Sequence, residues 1–259
     1  GKCADLVFLE DLKDFRVKRT IIDGRIVAEN GVPFFNPGPF AWPDWMTQSM
    51  HVGEEICKET FRVPAGDPEA STARVRAIRL RGGDTIAYEE HVEVPVSNGA
   101  LQADLARDIL KAFVFERHHA SSTHAAGFVC GLGIHGALAQ TVAHDAHNLL
   151  VVGDNDADMA IAANALVECG GGAVAVVDGE ILAKVPLQVC GLMSTGEAAE
   201  VASQVCHMEQ AWAAMGCKMP SPFMTLGLLS LACIPELRLT NRGYVDCTQF
   251  KFVPLEVGE

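Results

Sequence analysis

The sequence feature that most constrains the fold is a polar cluster inside an apolar, β-forming run. Residues 140–153 read Gln-Thr-Val-Ala-His-Asp-Ala-His-Asn-Leu-Leu-Val-Val-Gly, so two imidazoles, a carboxylate and an amide fall within residues 144–148. Burying such groups is costly unless they find partners, whereas the flanking Val and Leu residues are typical of buried strands. The run therefore predicts a polar junction between two buried elements, which favours a binding or catalytic site.

The four polar residues of this cluster, His144, Asp145, His147 and Asn148, allow three geometries. On a helix the two histidines would share one face and could bind one metal ion. On a strand they would point to opposite faces. At a strand-to-loop junction Asp145 and His147 could hydrogen-bond a polar ligand, and the β-forming residues on both sides favour this geometry. The alternative without a ligand is an Asx-type turn, in which Asp145 and Asn148 cap backbone amides.

Composition is that of an ordinary globular protein. The 259 residues are 49% hydrophobic and 20% charged, which allows a sizeable core and one large or two ordinary domains. The net charge of −13, without any Lys/Arg-rich run, argues against nucleic-acid binding. No apolar run reaches the roughly 18 residues of a membrane span. Nine cysteines without a CxxC pair indicate reduced thiols and a cytoplasmic location.

Short strands joined by turns are predicted at the beginning of the chain. Asp23-Gly24 between residues 17–22 and 25–28 is a strong hairpin signal. The strand-like residues 4–9 look like the middle of a longer protein, and the segment needs partner strands from elsewhere. A connector is predicted where four prolines and two tryptophans cluster: Pro33, Pro37, Pro39, Trp42, Pro43 and Trp45.

From about residue 61 onward the pattern mixes strands with helices. Helices are predicted at residues 155–169 and 197–215, because glycine follows each of them, and Asp154 is the predicted N-cap of the first. Weaker helical patterns occupy residues 46–57 and 223–231. The predicted strands are residues 75–80, 85–96, 108–116, 127–134, 141–152, 173–177, 180–185, 237–239 and 251–255. Asp178-Gly179, between residues 173–177 and 180–185, predicts a second hairpin.

Three other motifs are weaker site candidates. Residues 117–119 and His124 form a histidine-rich patch that could be a metal or substrate loop, but a solvated loop is favoured because no carboxylate or cysteine lies at ligand spacing. Residues 131–136 match GxGxxG, yet the β-forming residues that follow leave no room for the helix of a dinucleotide site. Gly170-Gly171-Gly172 follows a predicted helix, so it is interpreted as a cap rather than a phosphate loop.

Several segments resemble, in the same order, the C-terminal part of bacterial adenine deaminases. They are residues 141–153, 156–159, 191–194, 222–226, 234–239 and 250–255. Residues 4–9 and 23–31 resemble the β-domain that follows the barrel in amidohydrolases. The likeness is collinear and extends over nearly the whole chain.

The resemblance implies an α+β protein with three parts. Residues 1–35 would be a small β-sandwich-type fragment of the flanking β-domain, residues 36–60 a connector, and residues 61–259 a mixed α/β C-terminal domain. Adenine deaminases carry their metal site in an N-terminal (β/α)8 barrel that an HxH motif announces, and this sequence contains no HxH. The catalytic residues and metal ligands are therefore expected on a barrel outside this chain.

The implied reaction is hydrolytic deamination of adenine to hypoxanthine and ammonia. A divalent metal, manganese or iron, would activate water in the complete enzyme, and no metal is expected to be bound by this chain. Because barrel active sites lie at the C-terminal mouth, His144, Asp145, His147 and Asn148 are expected to contact the purine or a metal-bound species there. Ala146 stands where a serine is common in the family.

The expected partners are adenine, the N-terminal metal-binding barrel in cis or in trans, and further copies in a homo-oligomer. Neither a nucleic acid nor a membrane is expected as a partner. Two alternatives to an enzyme part remain open. The chain could be a non-catalytic purine-binding or regulatory module. It could also be a structural oligomerisation domain, in which the apolar residues 223–231 pack against another subunit.

Overall fold

In the computed structural model, the chain is described at residues 1–35, 38, 40–220 and 222–258. Its contacts divide it into two units, Gly1–Trp42 and Pro43–Glu259. The boundary falls in the predicted connector, of which Pro37 and Pro39 lie outside the described residues. Both strands and helices contribute to the structure, which confirms the α+β class. The division into three parts stays a prediction.

The first unit is a small antiparallel sheet of four strands: β1 Leu6–Leu9, β2 Val17–Ile22, β3 Arg25–Glu29 and β4 Val32–Pro33. Asp23 and Gly24 have φ angles of 49° and 74°, as a two-residue hairpin turn requires, so the predicted hairpin is confirmed. Leu6, Val7 and Phe8 are each about half exposed. Because neighbouring side chains of a strand point to opposite faces, β1 presents apolar groups on both of its faces.

A large sheet forms the centre of the second unit. Its strands are β5 Val63–Pro64, β6 Thr72–Arg79, β7 Tyr88–Ser97, β8 Ala100–Leu101, β9 Ile109–Phe115, β10 His124–Cys130, β11 Ala137–Gln140, β12 Leu149–Gly153, β13 Gly172–Val177 and β14 Glu180–Pro186. They lie in the order β14-β13-β11-β12-β9-β10-β6-β7-β8-β5. β10 pairs with β6 in parallel, and the other described neighbours pair antiparallel. All the side chains of β9 are buried, because this strand crosses the middle of the core.

Helices and a second sheet complete this unit. They are α1 Asp44–Thr47, α2 Asp156–Cys169, α3 Ala198–Ala214, α4 Pro222–Gly227, two 3-10 turns at Lys58–Phe61 and Leu105–Arg107, and the antiparallel strands β15 Leu237–Thr240, β16 Gly243–Asp246 and β17 Lys251–Val253. Successive side chains of β9 enter two different cores. Phe113 packs in the core that includes α2, and Val114 packs in the core that includes α3 and β15. The large sheet is therefore covered on both faces.

The two long helices lie within one residue of their predicted positions. Gly170, with a φ of 84°, caps the C-terminus of α2, which confirms the cap interpretation. The predicted N-cap is wrong by one residue, because the Asn155 side chain accepts the backbone N–H of Asp158 at 2.8 Å. Asp154 accepts the backbone N–H of Gly136 instead. In the described part of the chain, no helix has both the length and the apolarity to cross a membrane.

Two predicted strands are corrected. The strand predicted at residues 141–152 begins only at Leu149, as β12, and residues 141–148 connect it to β11, which ends at Gln140. The strand predicted at residues 127–134 begins and ends earlier, as β10. The backbone N–H groups of Gly131 and Gly133 bind the Asp108 carboxylate at 2.6 and 2.7 Å, so they are not available to a strand ladder.

The weak helix predicted at residues 46–57 is also wrong. α1 ends at Thr47, and the segment after it pairs with the loop that follows β9. The backbone N–H of His51 donates to the Arg117 carbonyl, and the His51 carbonyl accepts from the Ala120 N–H, both at 2.8 Å. Tertiary backbone pairing therefore replaces the helical hydrogen bonds here.

Candidate functional site

The predicted polar cluster forms a turn between β11 and β12. The backbone N–H of His147 donates to the Ala143 carbonyl at 2.7 Å, and that of His144 donates to the Gly227 carbonyl at 2.8 Å. His147 has a φ of 49°, in the left-handed region that residues other than glycine seldom adopt. The strand-to-loop geometry is confirmed, and the helical geometry, with both histidines on one face, is wrong.

The two imidazoles of the turn lie against each other. The ring centroids of His144 and His147 are 5.1 Å apart, and the planes meet at 65°. Both residues are half-buried, whereas Asp145 is exposed. Within the described residues the Asp145 carboxylate has no hydrogen-bond donor, so it does not cap an Asx-type turn. The exposed carboxylate is free to meet another molecule.

Asn148 is buried below the turn and reaches the small sheet of this unit. Its Nδ2 donates to Oδ1 of Asn241, in the turn between β15 and β16, at 3.3 Å. Its own Oδ1 is buried and has no partner among the described residues. Buried side-chain oxygens nearly always have a partner, so Asn148 brings an unused acceptor to the base of the turn.

Arg117 holds the turn in place, a role that sequence reasoning missed. The residue is 1% exposed, and its guanidinium donates to the carbonyl oxygens of His147, Ser49 and Cys190 at 2.6, 3.1 and 2.9 Å. Burial lowers the pKa of Arg117 from its ordinary value. Three carbonyl dipoles offset part of the cost of burying the charge. The one available signal was an arginine close behind the apolar strand β9.

Glu116 organises the neighbouring histidine-rich loop. Its carboxylate accepts the backbone N–H groups of His118 at 2.5 Å and His119 at 3.0 Å, and the Ser121 hydroxyl at 2.8 Å. Burial by itself raises the pKa of Glu116, but the bonds from Ser121 and the loop backbone outweigh it and lower the pKa to about 2. The His119 side chain is 83% exposed, which fits the solvated loop. His118 Nε2 lies 2.7 Å from the Ala146 carbonyl, so the two histidine patches meet.

A cavity of about 320 Å³ opens beside the turn. Its walls include three histidines, an arginine and a tryptophan, namely His51, His118, His147, Arg117 and Trp45. This volume is within the range of small-molecule sites, roughly 300–1,000 Å³. Of the four predicted site residues, His147 borders the cavity and the other three do not.

The surroundings favour the neutral form of the His147 imidazole. Burial is the main reason why the pKa of His147 lies below its ordinary 6.5, and the nearby His144 and Arg117 lower it further, against the opposing effect of Asp145. Nδ1 of His147 is buried and has no partner among the described residues. A neutral imidazole offers one donor and one acceptor, so His147 can bind an uncharged heterocycle without the burial of a charge.

The side chains near the turn do not fit a metal centre. Within the described residues, no three His, Cys, Asp or Glu side chains are arranged to hold a metal ion. The glycine motif at residues 131–136 does not fit a phosphate either. It leads into β11 rather than into a helix, and the Asp108 carboxylate already accepts two of its N–H groups.

Comparison with known proteins relates these features to one family. Residues 84–251 match the family described as the adenine deaminase C-terminal domain. The chain is 52% identical over 260 residues to an adenine deaminase of Clostridium botulinum, a match that covers 100% of this chain and 43% of that protein. It is 45% identical over 261 residues to the adenine deaminase of Moorella thermoacetica, a match that again covers 100% of this chain and 43% of the relative. It is 37% identical over 263 residues to that of Kosmotoga olearia, covering 100% of this chain and 44% of the relative.

The chain thus spans less than half the length of these curated relatives. The matched residues 84–251 include β9, the turn at residues 144–148 and both long helices. The resemblance found in the sequence is confirmed: the chain belongs to the adenine deaminase family, and its residues 84–251 are that family's C-terminal domain.

Proposed function

We propose that the chain is the C-terminal part of an adenine deaminase that hydrolyses adenine to hypoxanthine and ammonia. The chain corresponds to 43% of the Clostridium botulinum relative, so most of the complete protein lies outside it. The catalytic residues and a divalent metal, manganese or iron, are assigned to an N-terminal barrel that acts in cis or in trans.

In this proposal the turn at residues 144–148 covers the mouth of the barrel and completes the substrate site. The observation that carries it is His147, a half-buried imidazole with a lowered pKa, which Arg117 holds at the edge of a cavity of about 320 Å³. Adenine presents both N–H donors and ring-nitrogen acceptors, which such an imidazole can match. His144, Asp145 and Asn148 are proposed to contact the purine or a metal-bound species from the same turn. Covering the mouth would also exclude water from the reaction.

The first test is conversion of adenine to hypoxanthine, followed by ultraviolet absorbance with added manganese or ferrous iron. It compares this chain alone, the barrel portion alone, and the two together. We expect activity from the two together and none from this chain alone. Activity of the chain alone would overturn the assignment of the metal site to the barrel. No activity from the two together, once their association has been shown by size-exclusion chromatography, would overturn the proposed function.

A second test addresses the turn directly. In the complete protein, His147→Ala is expected to lower kcat/KM for adenine about tenfold or more, because a hydrogen bond to the base is lost. His207→Ala, at an exposed histidine of α3, is the matched control and should leave kcat/KM unchanged. Unaltered turnover in His147→Ala would remove the turn from the substrate site.

The remaining partner proposals rest on exposed apolar surface and on the cysteines. The apolar side chains on both faces of β1 support packing against strands from the rest of the protein. We also propose a cytoplasmic homo-oligomer, supported by nine free cysteines and by the exposed Phe250 and Phe252. Sedimentation of the complete protein as a monomer would contradict the oligomer.

A further inference from the structure

The loop after β9 carries a histidine to which the proposed function gives no role. His118 is exposed and borders the cavity of about 320 Å³, together with His147 and Trp45. The sequence favoured a solvated loop here, and that interpretation fits His119, whose side chain is 83% exposed. His118 differs from its neighbour because its ring lies against the candidate site.

Two hydrogen bonds fix the position of His118. Its backbone N–H donates to the Glu116 carboxylate at 2.5 Å, and its ring Nε2 lies 2.7 Å from the carbonyl oxygen of Ala146. A carbonyl oxygen only accepts, so Nε2 carries the hydrogen and donates it. The backbone and the ring of His118 are thus tied to two different loops, which holds the imidazole in one orientation.

The second ring nitrogen of His118 is a hydrogen-bond acceptor without a partner. In a neutral imidazole the nitrogen without hydrogen carries the lone pair, and here that nitrogen is Nδ1. Nδ1 has no hydrogen bond to the described residues. Because His118 is exposed, a molecule in the cavity can reach this ring. The cavity therefore presents a fixed acceptor, which fits an occupant with an N–H donor.

Trp45 gives the same cavity a flat apolar wall. The residue belongs to α1 and is 70% exposed. The backbone N–H of Cys190 donates to the Met46 carbonyl at 2.6 Å, and the Arg117 guanidinium binds the Cys190 carbonyl at 2.9 Å, so α1 is held by the same arginine as the turn. Aromatic side chains pack favourably on other aromatic rings. A flat wall and a fixed acceptor together suit a planar heterocycle that has a ring N–H.

The proposed function determines which N–H of adenine is available to this chain. Adenine carries its amino group on C6 of the six-membered ring and a hydrogen on N9 of the five-membered ring, at the other end of the molecule. Deamination at C6 is assigned to the barrel, so the six-membered ring faces the barrel and the five-membered ring faces the turn. An acceptor on this chain would therefore meet the N9–H rather than the amino group.

We propose that His118 is a specificity-determining residue, whose Nδ1 accepts the N9–H of a free purine base while its Nε2–H holds Ala146 in the turn. A nucleoside or a nucleotide carries a sugar on N9 and has no hydrogen there to donate. His118 therefore selects the free base over its nucleoside. This inference rests on the proposed function and names the atom by which this chain recognises the base.

The experiment measures binding to the complete protein by isothermal titration calorimetry. The probes are purine, which has no amino group to lose, and 9-methylpurine, in which a methyl group replaces the hydrogen on N9. Purine should bind about tenfold more tightly or better, because 9-methylpurine leaves the acceptor unused. Binding is measured without turnover, so the result does not depend on the rate of deamination.

Two substitutions of His118 separate the roles of its ring nitrogens. A glutamine places its amide near the position of Nε2, so His118→Gln keeps a donor to the Ala146 carbonyl and loses the acceptor. An asparagine places its amide near the position of Nδ1, so His118→Asn keeps an acceptor and loses the bond to Ala146. His118→Gln should weaken purine binding about tenfold and leave 9-methylpurine unaffected, whereas His118→Asn should retain the preference for purine.

His119→Gln is the matched control, since this neighbouring histidine does not border the cavity. It should leave the affinity for both probes unchanged. Thermal denaturation verifies that each variant is folded.

Three results would overturn the inference. The first is equal binding of purine and 9-methylpurine, or binding of neither, to the unsubstituted protein. The second is an affinity for purine that His118→Gln leaves unchanged. The third is an equal loss of purine affinity in His118→Gln and His118→Asn, which would make the role of His118 purely structural. If the protein still converts adenine in the absorbance assay, each of these results refutes the role of His118 alone and leaves the proposed function standing.

Discussion

Nε of Arg117 and the carbonyl oxygen of His147 lie 2.6 Å apart, and this hydrogen bond ties the residue after Glu116 to the candidate site 30 residues further along the chain. The other two guanidinium nitrogens bind the Ser49 and Cys190 carbonyls, so one buried cation holds three chain segments together. His147 keeps its left-handed backbone while its carbonyl is held in this way. The position of the turn therefore depends on Arg117.

Arg117→Met is expected to lower the free energy of unfolding by about 3 kcal/mol, because three buried carbonyls lose a charged donor. Urea denaturation followed by circular dichroism measures it. Arg25→Met, at an exposed arginine, is the control and should change stability by less than about 0.5 kcal/mol. Equal free energies of unfolding in the two variants would show that the three hydrogen bonds of Arg117 contribute nothing to stability.

Gly191→Ala should displace the Arg117 guanidinium sterically. A Cβ at Gly191 would lie 2.9 Å from Nη2 of Arg117, and the backbone φ is 68°. Gly179→Ala is the matched control, since its φ is 85° but a Cβ there meets nothing within 4 Å. The control should cost about 1–2 kcal/mol from backbone conformation alone. Gly191→Ala should cost roughly 1–3 kcal/mol more, and equal losses in thermal denaturation would contradict the contact.

Glu116 should contribute stability that depends on acid pH. Hydrogen bonds lower the pKa of Glu116 from 4.5 to about 2, so the folded state favours the charged carboxylate. Its contribution is fully present above the unfolded pKa of 4.5 and is lost as the pH falls through about 2. The loss of unfolding free energy in Glu116→Gln should therefore be constant above about pH 5 and shrink below about pH 4. Urea titrations at several pH values measure it, with the exposed Glu180→Gln as the control.

His135 should show the opposite dependence. The hydrogen bond from His135 Nδ1 to Asp154, at 2.7 Å, is the main cause that raises the pKa of His135, so the folded state favours the protonated imidazole. That contribution is fully present below the unfolded pKa of about 6.5 and is lost as the pH rises through the higher folded pKa. His135→Gln should therefore destabilise the chain more at about pH 5.5 than at about pH 9. A loss of unfolding free energy that does not change with pH would contradict the ion pair between His135 and Asp154.

Local signals were sufficient for the hairpins and the long helices. Asp23-Gly24 and Asp178-Gly179 adopt the positive φ angles that two-residue hairpins need, and this preference is contained in the dipeptides themselves. Gly170 ends α2 for a similar reason, because glycine enters the left-handed region at little cost. The N-cap of α2 could not be predicted locally, because the side chains of Asp154 and Asn155 can both accept an amide N–H. The tertiary contacts of Asp154 with Gly136 and His135 leave Asn155 as the N-cap.

The sequence by itself therefore determined the family, the α+β class, the main hairpins and helices, and the polar cluster at residues 144–148. Each depends on neighbouring residues or on a collinear series of segments. Only the tertiary structure decided that this cluster is a turn beside a cavity and that Arg117 holds it. The carbonyls that Arg117 binds belong to residues 30, 68 and 73 positions away, and a backbone carbonyl carries no side-chain signature. Such contacts are set by how the sheet brings distant segments together, which no local pattern records.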